Sequence, residues 1–169
     1  MKISVVKNIL EANDRIAEQN RGLFDEHSLT VMNLMSSPGA GKTSLLERTI
    51  QALKEDLAAL DLLVVENVGN LVCPAEFKVG EDFKAMILSV TEGDDKPAKY
   101  PLMFHESSVL LINKIDLLPY VDCTVERIRE EALKINPHMT IFEISCKTGD
   151  GLEAWYEWLK QQVRSRKKA

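Results

Sequence analysis

The sequence predicts a doubly wound α/β fold on a mostly parallel sheet, and three observations carry that prediction. Five apolar runs of strand length recur, at Leu29–Met35, Leu62–Val65, Ala85–Val90, Val109–Ile112 and Thr140–Ile144. Runs rich in Val, Ile and Leu suit strands covered on both faces, the arrangement of parallel sheets. Segments of helical periodicity lie between or after several of them, which gives a βα alternation. With 169 residues, 45% hydrophobic and 28% charged, the chain reads as one globular domain large enough to bury a core.

Each element has its own justification. Residues 2–21 place Ile3, Val6, Ile9, Leu10, Ile16 and Ala17 at helical spacing, with Gly22 as the expected stop. Residues 1–28 are therefore expected to form a helical extension ahead of a core at 29–169. After the first strand a helix begins at Thr43, with Leu45, Leu46, Ile50, Leu53 and Leu57 expected on one face. A helix over 124–135 has Thr124 as its candidate cap, and one over 152–163 puts Leu152, Trp155, Leu159 and Val163 on one side.

Composition excludes several function classes. A net charge of −5 argues against nucleic acid as the main partner, and the basic run Arg164–Lys168 reads as a solvated end. No apolar run reaches the length of about 18 residues that a membrane span requires. The first residues lack the basic-then-apolar layout of a secretory signal. Cys73, Cys123 and Cys146 are odd in number and widely spaced, so no disulfide framework is expected and a reducing, cytoplasmic setting is. His27, His105 and His138 are scattered and read as surface or packing residues.

The chemistry sits after the strands, where open α/β sheets bind ligands. Ser36-Ser37-Pro38-Gly39-Ala40-Gly41-Lys42-Thr43-Ser44 joins the first strand to its helix. Apart from Ser36 in place of the first glycine, it fits the pattern G-x-x-x-x-G-K-[ST]. Small residues let backbone N–H groups curl round a phosphate at the helix N-terminus. Lys42 supplies a cation for the β/γ-phosphates, and the Thr43 hydroxyl a ligand for Mg²⁺. After the second strand, Glu66 suits a water-mediated Mg²⁺ contact and the Gly69 amide a γ-phosphate. Asn113-Lys114-Ile115-Asp116 is the N-K-x-D pattern of guanine recognition: the carboxylate accepts from N1–H and the exocyclic amine, a donor pair adenine lacks. Ser145-Cys146-Lys147 matches the loop whose backbone amide meets guanine O6, with Cys146 replacing a small residue. Gly93–Pro97, a polar turn at the same edge, is a candidate contact for nucleotide, partner or second subunit.

Together with their neighbours, these phrases resemble the HypB family, nickel-incorporation GTPases of hydrogenase maturation. The resemblance runs through Met35–Thr43, Glu66–Pro74, Leu88–Pro97, Lys99–Pro101, Asn113–Tyr120 and Ser145–Lys147. It implies a G-domain of the SIMIBI-like P-loop class that hydrolyses GTP to GDP with Mg²⁺ and forms homodimers on nucleotide binding. It also implies nickel or zinc at the subunit interface with Cys73 as one ligand. The implied partners are a zinc-binding maturation protein and the hydrogenase large subunit, which receives nickel.

Two departures from the family accompany the match. Residues 1–30 contain no Cys, so the Cys-rich motif of some members has no counterpart there. Family members also have a longer stretch between the phosphate-loop helix and the Glu66 strand. It supplies a further strand, an Asp near Mg²⁺, a switch segment and a Cys-His pair that completes the metal site. Here Leu57 and Leu62 nearly adjoin. The alternative reading is thus a guanine-nucleotide-binding interaction module whose hydrolysis and metal site are impaired. A small-molecule kinase is disfavoured by Asp116.

Overall fold

The computed structural model describes residues 2–56, 61–67 and 73–167. Strands β1 (Thr30–Ser36), β2 (Leu62–Glu66), β3 (Phe83–Ser89), β4 (Val109–Asn113) and β5 (Thr140–Glu143) form one sheet. Their order is β2-β1-β3-β4-β5, and every pairing is parallel. The chain leaves β1 toward β2 on one side and returns to β3 on the other. The carboxyl end of β1 is therefore the switch point at which such sheets open a binding crevice. The helices are α1 (Lys2–Glu26), α2 (Lys42–Leu53), α3 (Cys73–Glu76), α4 (Lys96–Lys99), α5 (Pro101–Glu106), α6 (Val125–Ile135) and α7 (Leu152–Arg166).

Two hydrophobic layers cover the sheet. On one face Met32, Leu34, Ala85, Ile87 and Leu111 pack against Leu45 and Leu53 of α2 and Trp155 and Leu159 of α7. On the other, Met35, Met86, Leu88, Leu110 and Ile112 meet Met103 and Phe104 of α5 and Ile128 and Ala132 of α6. The five expected strands are all present. Burial on both faces holds for β1, β3 and β4, whereas the edge strands β2 and β5 are half-buried despite their apolar sequences.

Several local expectations need correction. Helix α1 runs through Gly22 to Glu26, and the chain turns at Ser28, whose φ is 54°. Arg21, just before Gly22, donates to the carbonyls of Gly80 and Leu29 and pairs with Asp82, so tertiary contacts carry the helix past the glycine. In α2 the buried face uses Thr49, not Ile50, which is 66% exposed. The cause is Trp155, whose Nε1–H donates to Thr49 Oγ1 at 3.1 Å and draws that hydroxyl inward. Leu57 lies outside the described residues. Thr124 occupies the N-cap of α6 without a side-chain capping bond. The basic end is pinned rather than merely solvated: Arg166 pairs with Asp25 and Asp82, and Lys167 with Asp61.

All four residues expected on the inner face of α7 are buried. Trp155 is fully buried, stacks on Trp158 at 5.7 Å and meets Phe142 edge-on. Trp155→Ala opens a cavity and strands Thr49. It should cost about 3–5 kcal/mol, read as a lowered denaturation midpoint by circular dichroism.

Candidate nucleotide-binding site

The carboxyl ends of the strands carry the candidate residues side by side. Ser36, fully buried, ends β1, and Ser37–Gly41 leads into α2. Gly41 is the N-cap with φ 106°, and neither a side-chain cap nor an acidic first-turn residue competes for the free N–H groups of α2. That leaves a helix N-terminus open to an anion. Pro38 and Gly39 form the exposed tip of the loop and Ala40 is buried beneath it, while Thr43 and Ser44 lie exposed in the first helical turn. Lys42 Nζ donates to Ser36 Oγ at 2.7 Å, which folds the ammonium back over the start of the loop.

Asn113, at the end of β4, joins three segments. Its Nδ2 donates to the Ala40 carbonyl at 2.8 Å, and its Oδ1 accepts from the N–H groups of Lys114 (2.8 Å) and Cys146 (3.2 Å). A Cβ on Gly41 would stand 2.4 Å from Asn113 Nδ2, so this approach requires glycine as much as the positive φ does. Lys114 adopts φ 64°, which lets its Nζ reach the Gly39 carbonyl at 2.7 Å. The Ser145 hydroxyl donates to Asp116 Oδ1 at 2.6 Å and leaves the second carboxylate oxygen for a ligand. Gly41, Ser44, Asn113, Lys114, Asp116, Leu117, Cys146 and Lys147 line a cavity of about 350 Å³. Burial pushes the Cys146 thiol up, against the opposing pull of Arg48 and Asn113.

Glu66 is exposed at the end of β2, paired in register with Leu34 of β1 and hence beside the loop. Gly69 lies outside the described residues. Cys73 opens α3, but its side chain is also outside them. Beneath α3, the buried Lys84 donates to the Ala75 carbonyl at 2.7 Å and lies 3.7 Å from Glu81. Glu81 accepts from Asn33, which in turn accepts from Asn67. Among the described residues, no group of three or more His, Cys, Asp or Glu is placed to hold a metal ion. The three histidines are exposed, and Cys123 is partly buried with its thiol pushed up by burial, then by Asp94 and Asp122.

Two contributors escape sequence reasoning. Glu92 accepts from Ser89 N–H at 2.9 Å and from the Ser37 hydroxyl. Glu92 falls within the Leu88–Pro97 phrase that carries the resemblance, but the rule that ligands gather after strands points to Gly93–Pro97 and gives Glu92 no role. Arg48, on α2, donates to the carbonyls of Cys146 (3.1 Å) and Lys147 (3.3 Å). No motif flags it, because its partners are backbone atoms 98 and 99 positions away. Arg48→Ala should free that loop and weaken binding of a fluorescent GDP about tenfold, or about 1.4 kcal/mol, with little change in thermal midpoint.

Comparisons with known proteins agree with this geometry. The family profile described as CobW/HypB/UreG, nucleotide-binding domain, matches residues 47–143. The hydrogenase maturation factor HypB of Azotobacter vinelandii is 39% identical over 217 aligned positions, covering 99% of this chain and 72% of that protein. The crystal structure of HypB from Archaeoglobus fulgidus superposes with a TM-score of 0.85 at 34% identity, over 90% of this chain and 99% of that one. HypB from Helicobacter pylori in complex with nickel gives 0.83 at 29% identity, over 91% and 96%. The Azotobacter alignment is longer than the 169 residues present here, so that relative carries residues inside the matched region that this chain lacks. The segment from Leu57 to Leu62, where the shortening was expected, falls largely on undescribed residues 57–60. The chain belongs to the HypB family, within the CobW/HypB/UreG nucleotide-binding domains.

Proposed function

We propose that this chain binds and hydrolyses GTP with Mg²⁺ and serves as a metallochaperone that delivers nickel during [NiFe]-hydrogenase maturation. The observation that carries the reading is the Asp116 carboxylate, set by Ser145 in a cavity that adjoins the phosphate loop through Asn113. A half-buried acceptor there pairs with the guanine donor edge and is left unpaired by adenine, which penalises the wrong base. Lys114 lies along the base, and the Ser145-Cys146-Lys147 backbone meets its carbonyl.

Ser37–Ser44 cradles the phosphates and Lys42 neutralises their charge as the chemistry proceeds. Thr43 and Glu66 offer exposed oxygen donors at the loop, the hard ligands that Mg²⁺ takes. When bound there, Mg²⁺ would neutralise charge on the phosphates. The names of the relatives and the nickel complex of the Helicobacter protein support the hydrogenase and nickel assignments, and weigh against a module that only binds nucleotide. Nickel or zinc is cargo. Cys73 contributes one donor, and the described residues do not complete a metal site around it. In a nucleotide-dependent homodimer the second subunit adds its own Cys73, a further soft donor for the cargo. A zinc-binding maturation protein and the hydrogenase large subunit are the proposed partners.

Single-turnover hydrolysis with Mg²⁺ tests the activity. GTP should turn over and ATP should not, and Lys42→Ala sets the floor; a wild-type rate at that floor removes the enzyme reading. In the same assay Asp116→Asn should shift preference toward the xanthosine nucleotide. For the cargo, equilibrium dialysis should show nickel bound by the GTP-loaded dimer and lost in Cys73→Ser. Equal binding by the variant would remove Cys73 from the site.

A further inference from the structure

We propose that Glu92 is a further catalytic residue, the carboxylate that orients the water attacking the γ-phosphate; the proposal rests on the GTPase reading above. Sheet order places two carboxylates about the phosphate loop: Glu66 at the end of β2 and Glu92 in the turn that follows β3, on opposite sides of β1. Glu66 is exposed and makes no hydrogen bond to the loop among the described residues. Glu92 touches it directly, through the Ser37 hydroxyl.

The end of the loop that Glu92 touches is the one where the γ-phosphate belongs. Lys42, whose ammonium serves the β/γ-phosphates, reaches back to Ser36 at 2.7 Å, and Ser36 donates to the Ser37 carbonyl. Ammonium and carboxylate thus meet the loop at adjacent residues. Glu92 is also held rigidly. Its Oε1 accepts from Ser89 N–H at 2.9 Å as the return half of a capping box, and Oε2 accepts from Ser37. A capped carboxylate is a pre-set acceptor rather than a mobile surface charge.

Chemistry selects what lies between Glu92 and a γ-phosphate. Both are acceptors and both are negative, so they repel unless a donor bridges them. A water donates one hydrogen to Glu92 and turns a lone pair toward phosphorus. Its oxygen then bonds to the γ-phosphorus, and the bond to the β–γ bridging oxygen breaks with its electron pair leaving on GDP. The water proton passes to Glu92 and on to the released phosphate, so GTP and water give GDP and phosphate.

Glu92→Gln tests this, because an amide retains an acceptor for Ser89 N–H and removes the charge. The single-turnover rate at saturating Mg²⁺ and GTP should fall about 100-fold or more, with GDP affinity within about twofold of wild type. A wild-type rate in Glu92→Gln overturns the proposal, as does a rate loss matched by an equal loss of GDP affinity, which would make Glu92 a support of the loop. Should Glu92→Gln fail to bind GDP, Ser37→Ala decides: it removes the tether to the loop while leaving the carboxylate and its Ser89 contact intact, and an unchanged rate overturns the proposal. If the wild-type chain binds GTP but does not hydrolyse it, the GTPase reading falls and this assignment falls with it. Turnover by wild type and Glu92→Gln alike sinks the assignment alone.

Discussion

The site depends on one buried side chain, the amide of Asn113. It is 1% exposed and spends both ends on backbone: the donor on Ala40, the acceptor on Lys114 and Cys146. The loops after β1, β4 and β5 therefore hold one spacing. An amide buried this deeply costs about 1–3 kcal/mol when left unpaired, so the three loops cannot drift apart independently. The same closeness dictates Gly41, since a methyl group there would overlap Asn113. Arg48 adds a second brace, tying α2 to the carbonyls of Cys146 and Lys147.

A second polar chain runs under α3, from Asn67 through Asn33 and Glu81 to Lys84 and the Ala75 carbonyl. The side chains of Lys84 and Glu81 are each only 6% exposed, and such a pair survives burial only when its remaining hydrogen bonds are met. Ala75, Val79 and Asn33 meet them. The consequence is positional: the short helix that Cys73 opens is fastened to the central sheet and, through Asn67, to the strand end that bears Glu66. The start of α3 and the carboxyl end of β2 thus share one frame.

The edge strands of the sheet depart from what their apolar sequences predict. Leu62–Val65 is apolar enough for an interior strand, yet β2 is the edge and stays half-buried. The Azotobacter relative has residues in the matched region that are missing here. Under the proposed GTPase reading, residues elsewhere at the strand ends take the place of that stretch. Glu92 is the carboxylate the fold holds against the loop.

Much of the molecule was determined by local sequence alone. Apolar runs bounded by turn residues set the five strands, the periodicity of 152–163 set the face of α7, and glycines with a lysine set the phosphate loop. These signals are readable because each depends on neighbours a few residues apart. What tertiary structure decided depends on partners far along the chain. Arg21 reaches Gly80 and Asp82 and carries α1 past Gly22; Trp155 turns Thr49 inward in place of Ile50; Arg166 and Lys167 find Asp25, Asp82 and Asp61. Arg48 and Glu92 belong to the same class, since a hydrogen bond to a distant backbone carbonyl or serine leaves no spacing in the sequence. Only the fold, by setting β3 beside β1, brings Glu92 to Ser37.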